Sequence, residues 1–80
     1  MARVRLFGPL VDVAGTREVR LSGSRVGDVL GAAGARFGEE FVRLLETSRI
    51  WVNGNPAAPD DLVADDDELA ILPPVSGGAS

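Results

Sequence analysis

Eighty residues allow one domain with a small core, because a chain of this size buries only about 60% of the surface it exposes when unfolded. A hydrophobic share of 45% with 25% charged residues is normal for a folded globular domain and argues against disorder, while the absence of Cys and His removes disulfides and the side chains most used for nucleophilic, general-base and zinc chemistry. A net charge of −4 weighs against nucleic-acid binding, which rests on phosphate neutralisation, and favours basic partners.

Residues 2 to 7 alternate, with Ala2, Val4 and Leu6 on one face and Arg3, Arg5 and Phe7 on the other, the period-two pattern of a half-buried strand. Gly8-Pro9 ends it, and Leu10 to Gly15 is expected to be a loop that tucks apolar side chains under the sheet. Residues 17 to 22 alternate again, with Val19 and Leu21 inward, so the first two strands are expected to form an antiparallel hairpin. Ser22, Gly23 and Ser24 supply turn and cap chemistry before a helix whose apolar positions Val26, Val29, Leu30, Ala33 and Phe37 form one stripe. Asp28 lies in its first turn, where the helix dipole favours it, and Gly38 terminates it. Gly27, Gly31 and Gly34 weaken it by about 1 kcal/mol each relative to alanine, so packing must hold it.

Glu39 to Glu46 reads as a second short helical segment with Phe41, Leu44 and Leu45 buried. Arg49 to Asn53 reads as a strand, Ile50 and Val52 sharing one face and Trp51 the other, and Asn53-Gly54 as a turn. Trp51 is equally suited to anchor an interface or to lid the core. In the connector that follows, Leu62 and Val63 are expected to touch the core. The last strand, Leu69 to Leu72, places Leu69 and Ile71 inward and Ala70 and Leu72 on the open face beside Phe7. Strand, strand, helix, strand, strand is the order of an α+β fold of the β-grasp type: a mixed four- to five-stranded sheet, first and last strands adjacent, one main helix on one face. The domain spans residues 1 to 72, and residues 73 to 80 form a tail that leaves the body at Pro73-Pro74, which cannot donate ladder hydrogen bonds.

Little inside the domain offers chemistry. The acidic run Asp65 to Glu68 lacks the alternating ligands and turn glycine of a calcium loop and reads as a solvated turn, so no metal site is assigned; Glu39-Glu40 and Asp60-Asp61 read as solubility. The glycines give no phosphate-binding pattern. All eight basic residues are arginine, which compositional drift explains most simply, with the corollary that no lysine is present to accept an isopeptide bond. The N-terminal apolar run is short and interrupted by Arg3 and Arg5, so neither a signal peptide nor a membrane partner is expected and the chain is expected to be cytoplasmic.

The strand order, Arg49-Ile-Trp-Val-Asn-Gly54 in the middle and Asp65-Asp-Asp-Glu-Leu-Ala-Ile-Leu-Pro-Pro-Val-Ser-Gly-Gly78 at the end together resemble the ubiquitin-like sulfur-carrier family, which includes the small subunit of molybdopterin synthase and the thiamine-pathway sulfur carrier. The Pro-Pro spacer is closer to the molybdopterin branch. The resemblance implies a non-enzymatic carrier that binds no cofactor. Its Gly78 carboxylate, reached through Gly77, is adenylated with ATP by an E1-like enzyme, converted to a thiocarboxylate, and threaded into a sulfur-accepting partner such as the molybdopterin synthase large subunit. Arg5, Phe7 and Leu72 are expected to be the docking patch, and Pro73, Pro74, Val75 and Ser76 the threaded segment. A thiamine, cysteine or secondary-metabolite pathway stays open, as does a ubiquitin-like modifier joined to target proteins.

Two departures from the family pattern stand out. Asp66 occupies the glycine position of the usual Asp-Gly-Asp, a place where aspartate tolerates positive φ. Ala79 and Ser80 follow the diglycine, so activation at Gly78 implies their removal, for which a metalloprotease is the expected partner; otherwise they are an added end with no part in the chemistry.

Overall fold

The computed structural model describes residues 1 to 74. Five strands form one sheet in the order β2-β1-β5-β3-β4: β1 (Ala2–Leu6), β2 (Glu18–Leu21), β3 (Arg49–Val52), β4 (Asn55–Pro56) and β5 (Glu68–Leu72). β1 and β5 run parallel at the centre, Val4 opposite Leu69 and Leu6 opposite Ile71, while β1 with β2, β3 with β5 and β3 with β4 are antiparallel. This is the mixed β-grasp sheet expected from the strand order. Ala2, Val4, Leu6, Val19, Leu21, Leu69 and Ile71 bury one face of it, the set that period-two counting assigns to the core.

The expected loop after β1 is a helix, α1 (Pro9–Ala14). Proline at the first helical position has no amide N–H to leave unpaired and a φ already suited to the helix, and Gly15 closes it in the left-handed region at φ 76°, its N–H donating to the Val11 carbonyl. The apolar tuck is real, for Leu10 is fully buried. What six residues could not show by periodicity was the helical turn that puts it there.

The main helix, α2 (Val26–Phe37), buries Val26, Val29 and Ala33 completely. Its cap is Arg25 rather than Ser22 or Ser24: the Arg25 backbone N–H donates to Asp28 Oδ2 at 3.2 Å. The first-turn donors are met from outside, Val26 N–H by the Asp61 carbonyl and Gly27 N–H by that of Pro59, both at 2.9 Å. Asp61 is therefore not only a solubilising charge, because its carboxylate also accepts the Ala58 N–H at 2.8 Å. Of the two connector residues expected in the core, Val63 is buried but Leu62 is 71% exposed, since its backbone bridges to Arg25 and turns the side chain outward.

α3 (Glu39–Thr47) follows after Gly38 alone. Phe41 is fully buried with its ring centroid 4.9 Å from that of Phe37, and Leu44 and Leu45 are half-buried against the core. Gly34 permits the close packing of α3 on α2, for a Cβ there would lie 2.8 Å from Val42 Cγ2. The glycine that weakens the helix locally thus serves the packing that retains it. No helix among the described residues is long and apolar enough to cross a membrane.

Candidate functional site

With helices on one face only, the other face of the sheet is open. Strand register assembles it: Arg5 lies opposite Ala70, Ala70 opposite Trp51, and Leu72 opposite Arg49. Phe7 comes one position after the last β1–β5 pair, Leu6 with Ile71, and so stands level with Leu72. Phe7, Ala70, Leu72 and Trp51 are all half-buried, giving an apolar centre at the end of the sheet from which the chain exits. The Arg5 guanidinium stacks 5.8 Å from the Phe7 ring centroid and reaches Glu68 Oε2 at 3.4 Å.

Arg5, Phe7 and Leu72 therefore come together as the sequence suggests, and Pro73 and Pro74 follow directly, Pro73 half-buried and Pro74 exposed. Val75, Ser76, Gly77 and Gly78, like Ala79 and Ser80, lie outside the described residues. Trp51 is on the open face, while Ile50 and Val52 pack against the core. Its place there fits an interface anchor rather than a core lid, the two readings its sequence left open, and Arg49, which shares this face, was not among the residues expected to dock.

Charge on this face differs from that of the whole chain. Arg3, Arg5, Arg20 and Arg49 share it with Glu18 and Glu68, and Asp65 and Asp66 adjoin Arg3 and Arg20 at the edge away from Phe7. Arg3 reaches Glu18 Oε2 at 3.6 Å. Arg5 and Arg49 thus flank the apolar centre, while Asp60 and Asp61 lie on an exposed loop.

The acidic turn before β5 is more than a solvated run. Asp67 Oδ2 accepts the Ala64 N–H at 2.8 Å and Oδ1 accepts from Asn53 Nδ2 at 2.9 Å, while Asn53 Oδ1 accepts the Glu68 N–H at 2.9 Å. Asn53, at φ 51°, is the sole non-glycine residue at positive φ among those described. Asp66 therefore needs no glycine-like backbone. No group of His, Cys, Asp or Glu among the described residues is arranged to hold a metal ion.

The Ala64 N–H first, and the Asn53 amide second, hold the Asp67 carboxyl below its ordinary value. A depressed folded-state pKa stabilises the fold above the unfolded value of about 3.9, and that contribution is lost as pH falls through the folded one. Stability followed in urea should therefore decline on acidification through this range, and Asp67→Asn should flatten the decline. An unchanged pH profile in the variant would contradict this role.

The ThiS family model matches residues 4–78, which is most of the chain and both glycines of the tail. The chain belongs to the ThiS family. Small archaeal modifier protein 1 of Haloferax volcanii is 40% identical over 85 residues, covering 92% of this chain and 97% of that protein. The solution structure of small archaeal modifier protein 1 from Methanosarcina acetivorans superposes with a TM-score of 0.86 at 34% identity, covering 96% of this chain and 95% of that one. A Pyrococcus furiosus protein described as a molybdopterin converting factor, subunit 1, gives a TM-score of 0.78 at 27% identity, covering 92% and 97%. The ThiS-family chain is thus a small carrier or ubiquitin-like modifier with the β-grasp fold of these relatives.

Proposed function

We propose that this ThiS-family chain is a sulfur carrier whose reactive group is the Gly78 carboxylate. A carboxylate is a poor acyl electrophile, so an E1-like enzyme adenylates it with ATP; a persulfide sulfur displaces AMP, and cleavage of the sulfur–sulfur bond by a thiol leaves a thiocarboxylate. The open face around Phe7, Ala70, Leu72 and Trp51 docks the activating enzyme and then the acceptor, and Arg5 and Arg49 beside it pair with partner carboxylates. The chain supplies reach and docking and is not itself a catalyst. The observation that carries this reading is the extent of the family match, which ends at Gly78 and leaves out Ala79 and Ser80. Processing, for which a metalloprotease is the natural agent, would expose that carboxylate.

The recipient pathway we propose is molybdopterin synthesis, with the synthase large subunit as sulfur acceptor. The Pro-Pro spacer and the likeness to the Pyrococcus furiosus protein support it. Thiamine, cysteine or secondary-metabolite synthesis would use the same activated end. A second reading is protein modification, favoured by 40% identity to a protein named as a modifier. The chain has no lysine, so its own side chains would not act as acceptors.

Intact mass of the protein recovered from its own cells tests these readings. Loss of Ala79 and Ser80 with exchange of one terminal oxygen for sulfur is the expected result. Discrete adducts of higher mass that resist reduction would favour the modifier, and a chain that always stays unmodified at 80 residues would exclude both.

A further inference from the structure

The sheet ends in two edge strands, and they differ in what they offer a further strand. β4 is two residues long and contains Pro56, which has no amide hydrogen to donate, so it is a poor template. β2 has four residues and no proline. Its ladder decides which backbone groups face outward: the Leu6 N–H donates to the Arg17 carbonyl at 2.9 Å, so Arg17, Val19 and Leu21 turn theirs toward β1. Glu18 and Arg20 turn theirs away from it, where no strand among the described residues pairs with them.

Charged side chains usually protect such an edge, because a second copy of the chain would set like charges against each other. Here they do not. Two copies joined edge to edge about a two-fold axis run antiparallel, and each residue faces one whose side chain lies on the same side of the joined sheet, so the axis passes level with one residue of β2. Level with Glu18 or Arg20, it opposes two glutamates or two arginines. Level with Val19, it sets Glu18 of each copy opposite Arg20 of the other, a favourable pair, and each ladder bond then runs between those two residues. Glu18 gives one carboxylate oxygen to Arg3 at 3.6 Å, and the other is open to the incoming arginine.

What stands in the way is a hydroxyl. Thr16 Oγ1–H donates to the Glu18 carbonyl at 2.9 Å, and the Glu18 N–H turns back to Thr16 Oγ1 at 3.4 Å. We propose that the Thr16 hydroxyl guards the β2 edge, keeping this chain from joining a second copy of itself through Glu18 and Arg20. One hydroxyl suffices, because Glu18 supplies its N–H or its carbonyl to every ladder bond of the one register that charge favours. A second copy must displace Thr16 from both groups before any of those bonds can form. Without the hydroxyl it displaces only water.

Sedimentation equilibrium of the full chain over a concentration series reads the guard directly. Thr16→Val keeps the β-branched shape and removes the hydroxyl, and it should tighten self-association by about thirtyfold, since a hydroxyl bond no longer has to be broken in either copy. Thr16→Ser keeps the hydroxyl and should behave as the unaltered chain. Amide exchange locates the contact, for the Glu18 and Arg20 amides of Thr16→Val should gain protection as concentration rises. Self-association equal in all of these chains, whether strong or absent, overturns the proposal, as does a dimer whose newly protected amides lie outside β2. Thr16→Ala decides the matter if Thr16→Val fails to fold. The register is tested in the Thr16→Val background: Glu18→Arg and Arg20→Glu should each abolish self-association, and mixing the two should restore it as a mixed pair. Self-association retained by either one alone would overturn the pairing of Glu18 with Arg20.

Discussion

Phe41→Ala should cost about 3–5 kcal/mol of folding free energy, the usual range for removing a buried aromatic ring. An eighty-residue domain has about 4–12 kcal/mol in total, so the variant should be marginally folded or unfolded at room temperature. The position is severe for three reasons. Phe41 is fully buried, it is the one residue of α3 that is, and its ring stacks at 46° to Phe37, so its loss both opens a cavity and detaches α3 from α2. Urea unfolding checks this: at a slope of about 1–1.5 kcal/mol per molar, the midpoint should fall by roughly 3 M. Leu62→Ala is the counterpart. That leucine is 71% exposed, and its removal should change stability by no more than about 0.5 kcal/mol. Equal losses in the two variants would mean that the core is drawn wrongly.

Phe7→Asp should abolish docking while leaving the fold intact. Phe7 projects from the face opposite the helices, so its substitution leaves the buried set from Ala2 to Ile71 untouched. Its neighbours on the open side are Arg5, which stacks on it, and Leu72, which leads into the tail. An aromatic anchor at the centre of an interface is commonly worth about 2–4 kcal/mol, or about thirtyfold to a thousandfold in affinity. Aspartate adds a desolvation cost on top of the lost contact. Sulfur transfer or target modification should fall accordingly, with the melting temperature within a few degrees of the unaltered chain. Transfer that persists in a folded Phe7→Asp protein would place the docking surface elsewhere. Raised salt should also slow association, because Arg3, Arg5, Arg20 and Arg49 are exposed and screened beyond about 10 Å at 0.1 M.

Alternation along β1, β2 and β5 and the helical stripe in α2 determined by themselves which residues face the core, because period two and period 3.6 are properties of backbone geometry and need no partner. The strand order then limited the fold to a helix over one face of a mixed sheet. The Pro-Pro spacer and the diglycine, read with the missing Cys and His, directed attention to the chain end, since few other groups in the sequence offer acyl or nucleophilic chemistry.

Wherever a residue's role depends on what lies opposite it, tertiary structure decided. Leu62 and Val63 look alike in sequence and differ in burial because a backbone bridge to Arg25 orients one of them outward. Asp67 reads as one charge among four until Asn53, fourteen residues earlier, donates to it from the turn after β3. Arg49 and Trp51 join Leu72 and Ala70 through register across β3 and β5, pairings between strands some twenty residues apart. Most plainly, Gly8 reads only as the end of a strand, yet a Cβ there would lie 2.9 Å from Cγ of Pro73, sixty-five residues later. Local patterns are carried by the chain's own geometry; contacts of this kind exist only once the fold has brought the two segments together.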